Sequence, residues 1–376
     1  MQYREFSVNK LKVSLLGLGC MRFPVLENDN SKIDVERSTA MVRFALGKGI
    51  NYFDTAYPYH GGESEAFLGN ALEGIHRESY HLATKSPVWL VENHEDFMKY
   101  LDEQLVNLKT NYVDFYLFHA LNKKSFEKIK SLEFEKFVQK AKDEGKIRHI
   151  GFSFHDELPV FKEIIDHYDW EFCQIQLNYM DTDYQAGLSG LEYARNKGID
   201  VVVMEPLKGG KLAQSPEDVL QVWNRSQTFR TPVKWALKWL HSLPGVSVVL
   251  SGMSTMKQLE ENIEISSDID TLSPEDMEIV KKAAQIYRSR TKVDCTGCKY
   301  CIPCPQNVAI PEVFQLYNNA HVYGSFDESS RSYSNLIQKE EDSSRCVECG
   351  LCEEKCPQNL TIIQYLKDAR DDLYSR

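Results

Sequence analysis

Along the first 270 or so residues, short runs rich in β-branched and aromatic residues alternate with longer stretches whose apolar positions recur every three or four residues. Residues 3–16 open with period-two alternation and predict a hairpin. Eight runs then predict strands: Leu16–Cys20, Tyr52–Ala56, His81–Lys85, Val113–His119, His149–Phe154, Phe172–Asn178, Asp200–Glu205 and Val246–Ser251. Helical periodicity fills the gaps at 35–46, 63–73, 95–108, 133–144, 160–167, 188–197, 233–241 and 257–265. Gly follows Lys48, Glu73, Glu144 and Lys197, where a helix C-cap is expected. Eight strand–helix units are the count of a closed (β/α)8 barrel. The strands are short and mostly continuous in apolar character, as in parallel sheets covered on both faces. An open doubly wound sheet is the alternative, but Gly17-Leu18-Gly19 runs into Cys20-Met21-Arg22 and does not complete a G-x-G-x-x-G fingerprint.

Past residue 267 the pattern changes. Residues 272–290 predict one more helix, started by Ser273-Pro274-Glu275, and the composition shifts at Asp294-Cys295. This predicts a barrel over 1–286 and a small helical domain over 287–376, with helices near 311–318 and 360–373. Ten cysteines are placed unevenly: Cys20 and Cys173 stand alone, and eight lie between Cys295 and Cys356. A reducing cytosol does not favour storing so many thiols as disulfides, so the cluster points to metal.

The cysteines form two runs, Cys295-x2-Cys298-x2-Cys301-x2-Cys304-Pro305 and Cys346-x2-Cys349-x2-Cys352-x3-Cys356-Pro357. Two-residue gaps let three thiolates of one turn face one cluster, while the Cys before Pro reaches a partner cluster. Crossed ligation of two 4Fe-4S clusters follows: Cys295, Cys298, Cys301 and Cys356 for one, Cys346, Cys349, Cys352 and Cys304 for the other. Zinc is the alternative, since paired C-x2-C motifs build zinc ribbons, but each run here holds four Cys with Pro after the last. The first run departs from the usual spacing in its last gap, which is two residues and not three. The segment between the runs, with its predicted helix, suits an α-helical ferredoxin-like module.

The net charge of −11 argues against a nucleic-acid partner, because phosphate neutralisation needs excess Lys and Arg. No apolar run approaches the ~20 residues of a membrane-spanning helix, and the polar start Met1-Gln2-Tyr3-Arg4-Glu5 is unlike a signal peptide. A cytoplasmic setting is the expectation, reinforced by the oxygen sensitivity of exposed clusters.

Candidate chemistry in the barrel lies at the C-terminal ends of early strands, where barrel active sites sit. Asp54 and Tyr57 follow the second strand, Lys85 ends the third and His119 ends the fourth. A Tyr hydroxyl, with a reference pKa of ~10, is a poor acid near neutrality. A buried ammonium beside it favours the phenolate. A carboxylate keeps the Lys charged, and a His polarises a carbonyl oxygen.

The barrel resembles the aldo-keto reductases over about residues 5–270. The resemblance rests on Leu18-Gly19 with Met21-Arg22, Asp54-Thr55-Ala56-x-x-Tyr59 with Glu65, Lys85, His119, Gly151-Phe152-Ser153, and Ser251-Gly252-Met253 followed by Glu261-Asn262. The cysteines are similar to those of a branch with a ferredoxin-like module after the barrel. The resemblance maps the family's catalytic tetrad onto Asp54, Tyr57, Lys85 and His119. It places the nicotinamide amide at Ser153 and Gln174, with Phe154 where an Asn usually follows the Ser. Met204 stands for the aromatic residue stacked on the ring, ahead of Pro206 and Leu207. Lys208, Gly209 and Gly210 would follow the pyrophosphate. Gly252, Ser254 and Gln258 would lie at the ribose phosphate, and Glu261 and Asn262 at the adenine. NADPH is the family default. Gly252 and Gln258 replace an expected Lys and Arg, and Lys257 is shifted by one, so NADH is the alternative.

The resemblance implies a reductase of a small-molecule carbonyl substrate, with Tyr57 as proton donor and the clusters structural or serving a redox partner protein. The other hypothesis is an iron–sulfur electron-transfer protein whose barrel is a docking or redox-sensing scaffold. Nicotinamide moves two electrons and each cluster one, so a flavin would be the usual intermediary. The sequence carries no recognisable flavin motif, although barrels bind flavin through loops without one. Tyr59, His60, Trp89 and Tyr179 are candidates for the pocket mouth.

Overall fold

A computed structural model describes residues 1–7, 10–295 and 297–374. The chain packs as two compact units, one of Met1–Gly209 with Val233–Ser273, the other of Gly210–Pro232 with Pro274 onward.

In the first unit, β1 (Tyr3–Glu5) and β2 (Lys12–Ser14) form the expected antiparallel hairpin, with Tyr3 opposite Ser14. Eight parallel strands close into a barrel: β3 (Leu16–Gly19), β4 (Tyr52–Asp54), β5 (His81–Ser86), β6 (Val113–Leu121), β7 (Ile147–Phe154), β8 (Phe172–Gln176), β9 (Asp200–Met204) and β10 (Val246–Ser251). They pair in chain order and β10 returns to β3, so the closed barrel stands and the open sheet falls away. Phe6, just past β1, is 2% exposed and packs with Tyr52, Phe115, Phe172 and Val248 in the barrel core. The hairpin therefore contributes to the core as well as to the surface. Gly151 in β7 is required by packing, since a Cβ there would lie 2.5 Å from the Phe172 carbonyl oxygen on β8.

The helices of this unit are α1 (Val35–Gly47), α2 (Ser64–Ala71), α3 (His94–Asn107), α4 (Lys123–Ser131), α5 (Phe134–Asp143), α6 (Leu158–His167) and α7 (Gly187–Asn196), with two more later in the chain. Asn93 caps α3 by accepting from Asp96 N–H, and the Asp96 carboxylate returns a bond to the cap, a capping box. The expected C-cap glycines take left-handed backbone, as at Gly49 with φ 92° and Gly198 with φ 76°. Helix α4 was not expected. Its charged sequence presents only Phe126 and Ile129 to the core, too little periodicity to read.

The second unit holds α8 (Glu217–Trp223), α11 (Pro274–Ser289), α12 (Ile310–Tyr323), α13 (Phe326–Gln338), a short α14 (Leu351–Glu354) and α15 (Ile362–Tyr374). Helix α9 (Pro232–His241) begins as the chain re-enters the barrel unit, and α10 (Met256–Ser267) ends that passage. The second compact unit takes a segment, residues 210–232, from within the barrel sequence and resumes at Pro274. Helix α8 packs on α11 through buried Val219, Val222 and Trp223. Arg230 pairs with Asp276 at 3.2 Å, and Arg290 with Asp218 at 2.9 Å. The Tyr287 hydroxyl meets Ser215 Oγ at 2.9 Å. A change in composition marks where the cysteine region starts, but not which earlier segment packs with it. The core of α12, α13 and α15 buries Val313, Phe314, Tyr333, Ile362 and Leu366, and six of the cysteines pack against it. The module is helical, as expected. Among the described residues no helix is long and apolar enough to cross a membrane.

Candidate active site and cluster sites

Asp54, Lys85 and His119 come from the ends of three adjacent barrel strands, β4, β5 and β6. Lys85 is 1% exposed and uses its ammonium on three acceptors. These are Asp54 Oδ1 at 2.7 Å, the Thr55 carbonyl at 2.7 Å and the Tyr59 hydroxyl at 3.3 Å. An ammonium has three N–H donors, so the set is complete. The ammonium also lies 4.8 Å from the Tyr59 ring centroid.

The tyrosine beside Lys85 is therefore Tyr59 and not Tyr57. The Tyr57 hydroxyl donates to Glu103 Oε1 at 3.2 Å, on α3, and its ring meets Tyr100 edge-on. The physical reason is the turn after β4. The chain leaves the strand at Asp54, passes Pro58 and enters a tight 3-10 segment at Tyr59, with His60 in left-handed backbone at φ 53°. That turn carries Tyr57 outward and brings Tyr59 back over the strand end. The spacing Asp54-x4-Tyr59 was the available signal.

Burial penalises charge on Asp54 and pushes its carboxyl up, against the pull of Lys85. Lys85 itself is pushed up: burial acts against its charge, and Asp54 and Tyr59 outweigh it. We take the pair as ionised on its geometry, a direct 2.7 Å contact with every ammonium hydrogen placed. Burial raises the Tyr59 phenol above its ordinary range, and Lys85 pulls it down only in part. Tyr59 thus stays protonated at neutral pH. His119 is driven down to about 3 by burial and then by the Lys85 charge, so its imidazole is neutral. Its Nδ1 is buried without a hydrogen-bond partner. The rings of Tyr59 and Trp89 stand 6.0 and 5.3 Å from that of His119. Of the other expected mouth residues, His60 is turned to the Asn30 carbonyl at 2.8 Å and Tyr179 is 2% exposed.

Ser153 on β7 and Gln174 on β8 are register partners. Ser153 Oγ accepts from Ala120 N–H at 2.8 Å, and a hydroxyl that accepts still has a hydrogen to donate. Gln174 is 2% exposed and its Oε1 has no hydrogen-bond partner. One donor and one orphaned acceptor side by side fit a primary carboxamide.

After β9, Pro206 is buried and Gly209 exposed. Glu205 and Lys208 take positive φ of 57° and 50°, a conformation costly for non-glycine residues. Lys208 does not extend as a free cation: its ammonium meets both Asp181 carboxylate oxygens at 2.7 Å. Leu207 lies between these strained positions. Gly252, Ser254, Gln258, Glu261 and Asn262 share the β10–α10 connection and the first turns of α10. Ser254 N–H donates to Gln258 Oε1 at 2.8 Å, Gln258 N–H donates to Thr255 Oγ1 at 3.2 Å, and Asn262 donates to Ser251 Oγ at 3.0 Å. Lys257 is exposed beside them.

In the second unit the cysteines line two adjoining cavities. Cys295, Cys298, Cys301 and Cys356 line one with Phe314, Leu360 and Ile362. Cys304, Cys346, Cys349 and Cys352 line the other with Val308, Ile363 and Leu366, and Cys301 borders both. The Cys301 thiol is pushed up by burial and by the charges of Cys295, Cys298 and Cys356, which puts Cys356 near the first run. Among the described residues no three ligand side chains converge on a single-ion site. Thiols spread around a cavity suit a polynuclear cluster, where a lone zinc needs its ligands within ~2.3 Å of one point.

Comparison with known proteins agrees with both units. The model of the Aldo/keto reductase family matches residues 15–285, and that of the 4Fe-4S dicluster domain matches 294–361. L-galactose dehydrogenase of Arabidopsis thaliana is 31% identical over 297 residues, covering 72% of this chain and 90% of that protein. The uncharacterized oxidoreductase YqkF of Bacillus subtilis is 27% identical, covering 71% and 92%. Among solved structures, the holo form of an aldo-keto reductase from Bacillus halodurans superposes with a TM-score of 0.64 at 26% identity, covering 75% of this chain and 96% of that one. With the closed barrel and its strand-end Asp–Lys–His set already in place, these matches establish that the chain belongs to the aldo/keto reductase family, is an oxidoreductase, and carries a C-terminal 4Fe-4S dicluster domain.

Proposed function

We propose that the barrel reduces a small-molecule carbonyl compound with Tyr59 as the proton donor, using a nicotinamide cofactor held at Ser153 and Gln174. The observation that carries this reading is the full use of the Lys85 ammonium on Asp54, the Thr55 carbonyl and the Tyr59 oxygen. When bound, the nicotinamide supplies hydride to the carbonyl carbon. Tyr59 O–H hydrogen-bonds the carbonyl oxygen and gives up its proton as negative charge develops there. Lys85, already donating to the Tyr59 oxygen, stabilises the phenolate that remains. Asp54 keeps Lys85 protonated in a site where burial alone would discharge it. Neutral His119 offers an N–H to the same oxygen without adding a competing acid. The phenolate then recovers a proton from solvent.

Ser153 would donate to the carboxamide oxygen, and Gln174 Oε1 would accept from its NH2 group. NADPH is the first choice of cofactor, with Lys257 beside Gln258 and Arg22 packed against Gly252 as exposed cations at the expected phosphate site. The cysteines would hold two clusters by crossed ligation, as the two cavities group them. Cluster electrons would pass singly to a redox partner protein in a reducing cytoplasm.

The test is an anaerobic assay of the as-purified protein with NADPH or NADH and a panel of aldehydes, wild type against Tyr59→Phe. Loss of turnover by roughly 10²-fold or more, with cofactor affinity retained, supports the reading. Normal turnover in Tyr59→Phe would remove Tyr59 as the acid. Visible absorbance and electron paramagnetic resonance of the same samples show whether nicotinamide reduces the clusters.

A further inference from the structure

One buried ionisable group next to the reaction centre has no part in the mechanism above. Glu65, on α2, is 1% exposed. Its Oε1 accepts from the Thr84 hydroxyl and from Gln104 Nε2, the latter at 2.6 Å. Thr84 immediately precedes Lys85 on β5. Gln104 Nε2 also donates to the Lys85 backbone carbonyl at 3.0 Å, and Tyr116 O–H donates to Gln104 Oε1 at 2.9 Å. Thr84, Gln104 and Tyr116 are all fully buried. The carboxylate is therefore wired to the backbone and side chain on either side of the Lys85 Cα.

Among the described residues no Lys, Arg or His forms an ion pair or hydrogen bond with Glu65. The nearest cation acting on it is Lys85, whose own contact is with Asp54. Thr84 and Gln104 donate to Oε1 and Asn107 also faces the carboxyl, while Oε2 is buried without a hydrogen-bond partner; the donors favour the ionised form and burial pushes the carboxyl up against them. The other ionisable groups around the set are Cys20 beside β3, Tyr52 on β4, Tyr57 in the turn with its exposed partner Glu103 on α3, and Tyr116 and His119 on β6; burial keeps Tyr52 protonated. Burial keeps Cys20, Tyr116 and His119 uncharged, and Tyr57 is raised as well. The buried charges are then Asp54, Lys85 and Glu65: two carboxylates and one ammonium.

We propose that Glu65 is a positioning residue, tied to the Lys85 backbone through Thr84 and Gln104, whose negative charge makes the Tyr59 phenolate more costly and so raises the pH at which Tyr59 changes from acid to base. This rests on the reading of Tyr59 as the proton donor. Removing a negative charge makes the phenolate less costly, so the Tyr59 pKa falls. Reduction needs protonated Tyr59, and the reverse oxidation of an alcohol needs the phenolate. Both pH limbs must therefore move together, and toward lower pH.

The experiment is Glu65→Gln in the full cluster-loaded protein, with pH profiles of reduction and of oxidation. Gln keeps the carbonyl acceptor for Thr84 and Gln104, so a purely structural role predicts unmoved limbs and at most a lower Tm. The proposal predicts that both limbs shift down by about half a pH unit or more, less than a contacting charge gives. Unmoved limbs in a folded Glu65→Gln overturn it, as does a shift of one limb only. If that variant does not fold, Thr84→Val removes one donor and weakens the hold on the anion. It should give a smaller shift of the same sign, and no shift counts against the proposal. Tyr59→Phe, run in parallel, separates the two ideas: full activity there defeats the acid assignment itself, whereas an inactive Tyr59→Phe with an unshifted Glu65→Gln defeats only the role of Glu65.

Discussion

Replacing Lys85 by Met tests the centre of the site through stability as well as activity. Met fills much of the same volume but removes three hydrogen bonds and leaves Asp54, 2% exposed, without its counter-ion. Breaking one side of a buried ion pair costs about 3–5 kcal/mol. In a domain of this size each kcal/mol moves Tm by about 2–4 °C, so the barrel should melt roughly 6–20 °C lower near pH 8. The pH dependence has a definite sign. Without Lys85, burial raises the folded Asp54 carboxyl above its unfolded value of ~3.9. Folding then requires either a proton uptake or a buried unpaired anion, so stability falls as pH rises through that window and recovers on acidification. The loss against wild type should be smaller at pH 5 than at pH 8. Circular dichroism melting at both pH values reads the barrel, while cluster absorbance follows the other unit separately. An unchanged Tm at pH 8, or an equal loss at both pH values, would refute the coupling of Asp54 to Lys85. Carbonyl reduction should fall at least as far as in Tyr59→Phe.

Tyr57→Phe removes only the bond to Glu103 at the loop surface, so turnover should change less than twofold, and a loss of orders of magnitude would return the acid role to Tyr57. Cys356→Ser should damage the cluster built by Cys295, Cys298 and Cys301 and spare its neighbour, with selective loss of the other cluster by electron paramagnetic resonance as the contrary result. Lys257→Ala should weaken NADPH binding more than NADH binding, measured by fluorescence titration, and equal effects dismiss a phosphate contact.

Much of this architecture can be read from period and spacing alone. Eight apolar runs gave eight barrel strands because a strand covered on both faces has little freedom in composition. The iron–sulfur character of the cysteine region was legible because cluster ligation is largely a local spacing problem. What escaped depends on three-dimensional return. Two tyrosines follow Asp54 within five residues, and a turn with His60 at positive φ decides which of them faces Lys85. Lys208 looked like a free cation for phosphate, but Asp181 comes from the neighbouring strand's loop to hold it. Helix α13, with its serine-rich FDESSRSYSNLIQ, has little intrinsic helical preference and owes its form to the apolar side, carrying Tyr333, Leu336 and Ile337, that it turns to the core.

The chain passes between its two units after Gly209, after Pro232 and after Ser273. This has a consequence for biosynthesis. Residues 210–232 leave the ribosome well before α11 and the cysteine region have been made, so Val219, Val222 and Trp223 must wait unpacked for their partners. The first cysteine run would likewise wait for Cys356, which lines the same cavity but lies far downstream of it. A ribosome-bound intermediate of this protein therefore carries a loose loop and an incomplete set of thiols until Cys356 has emerged, which makes this the interval in which a holding chaperone or a cluster-delivery factor has most to do.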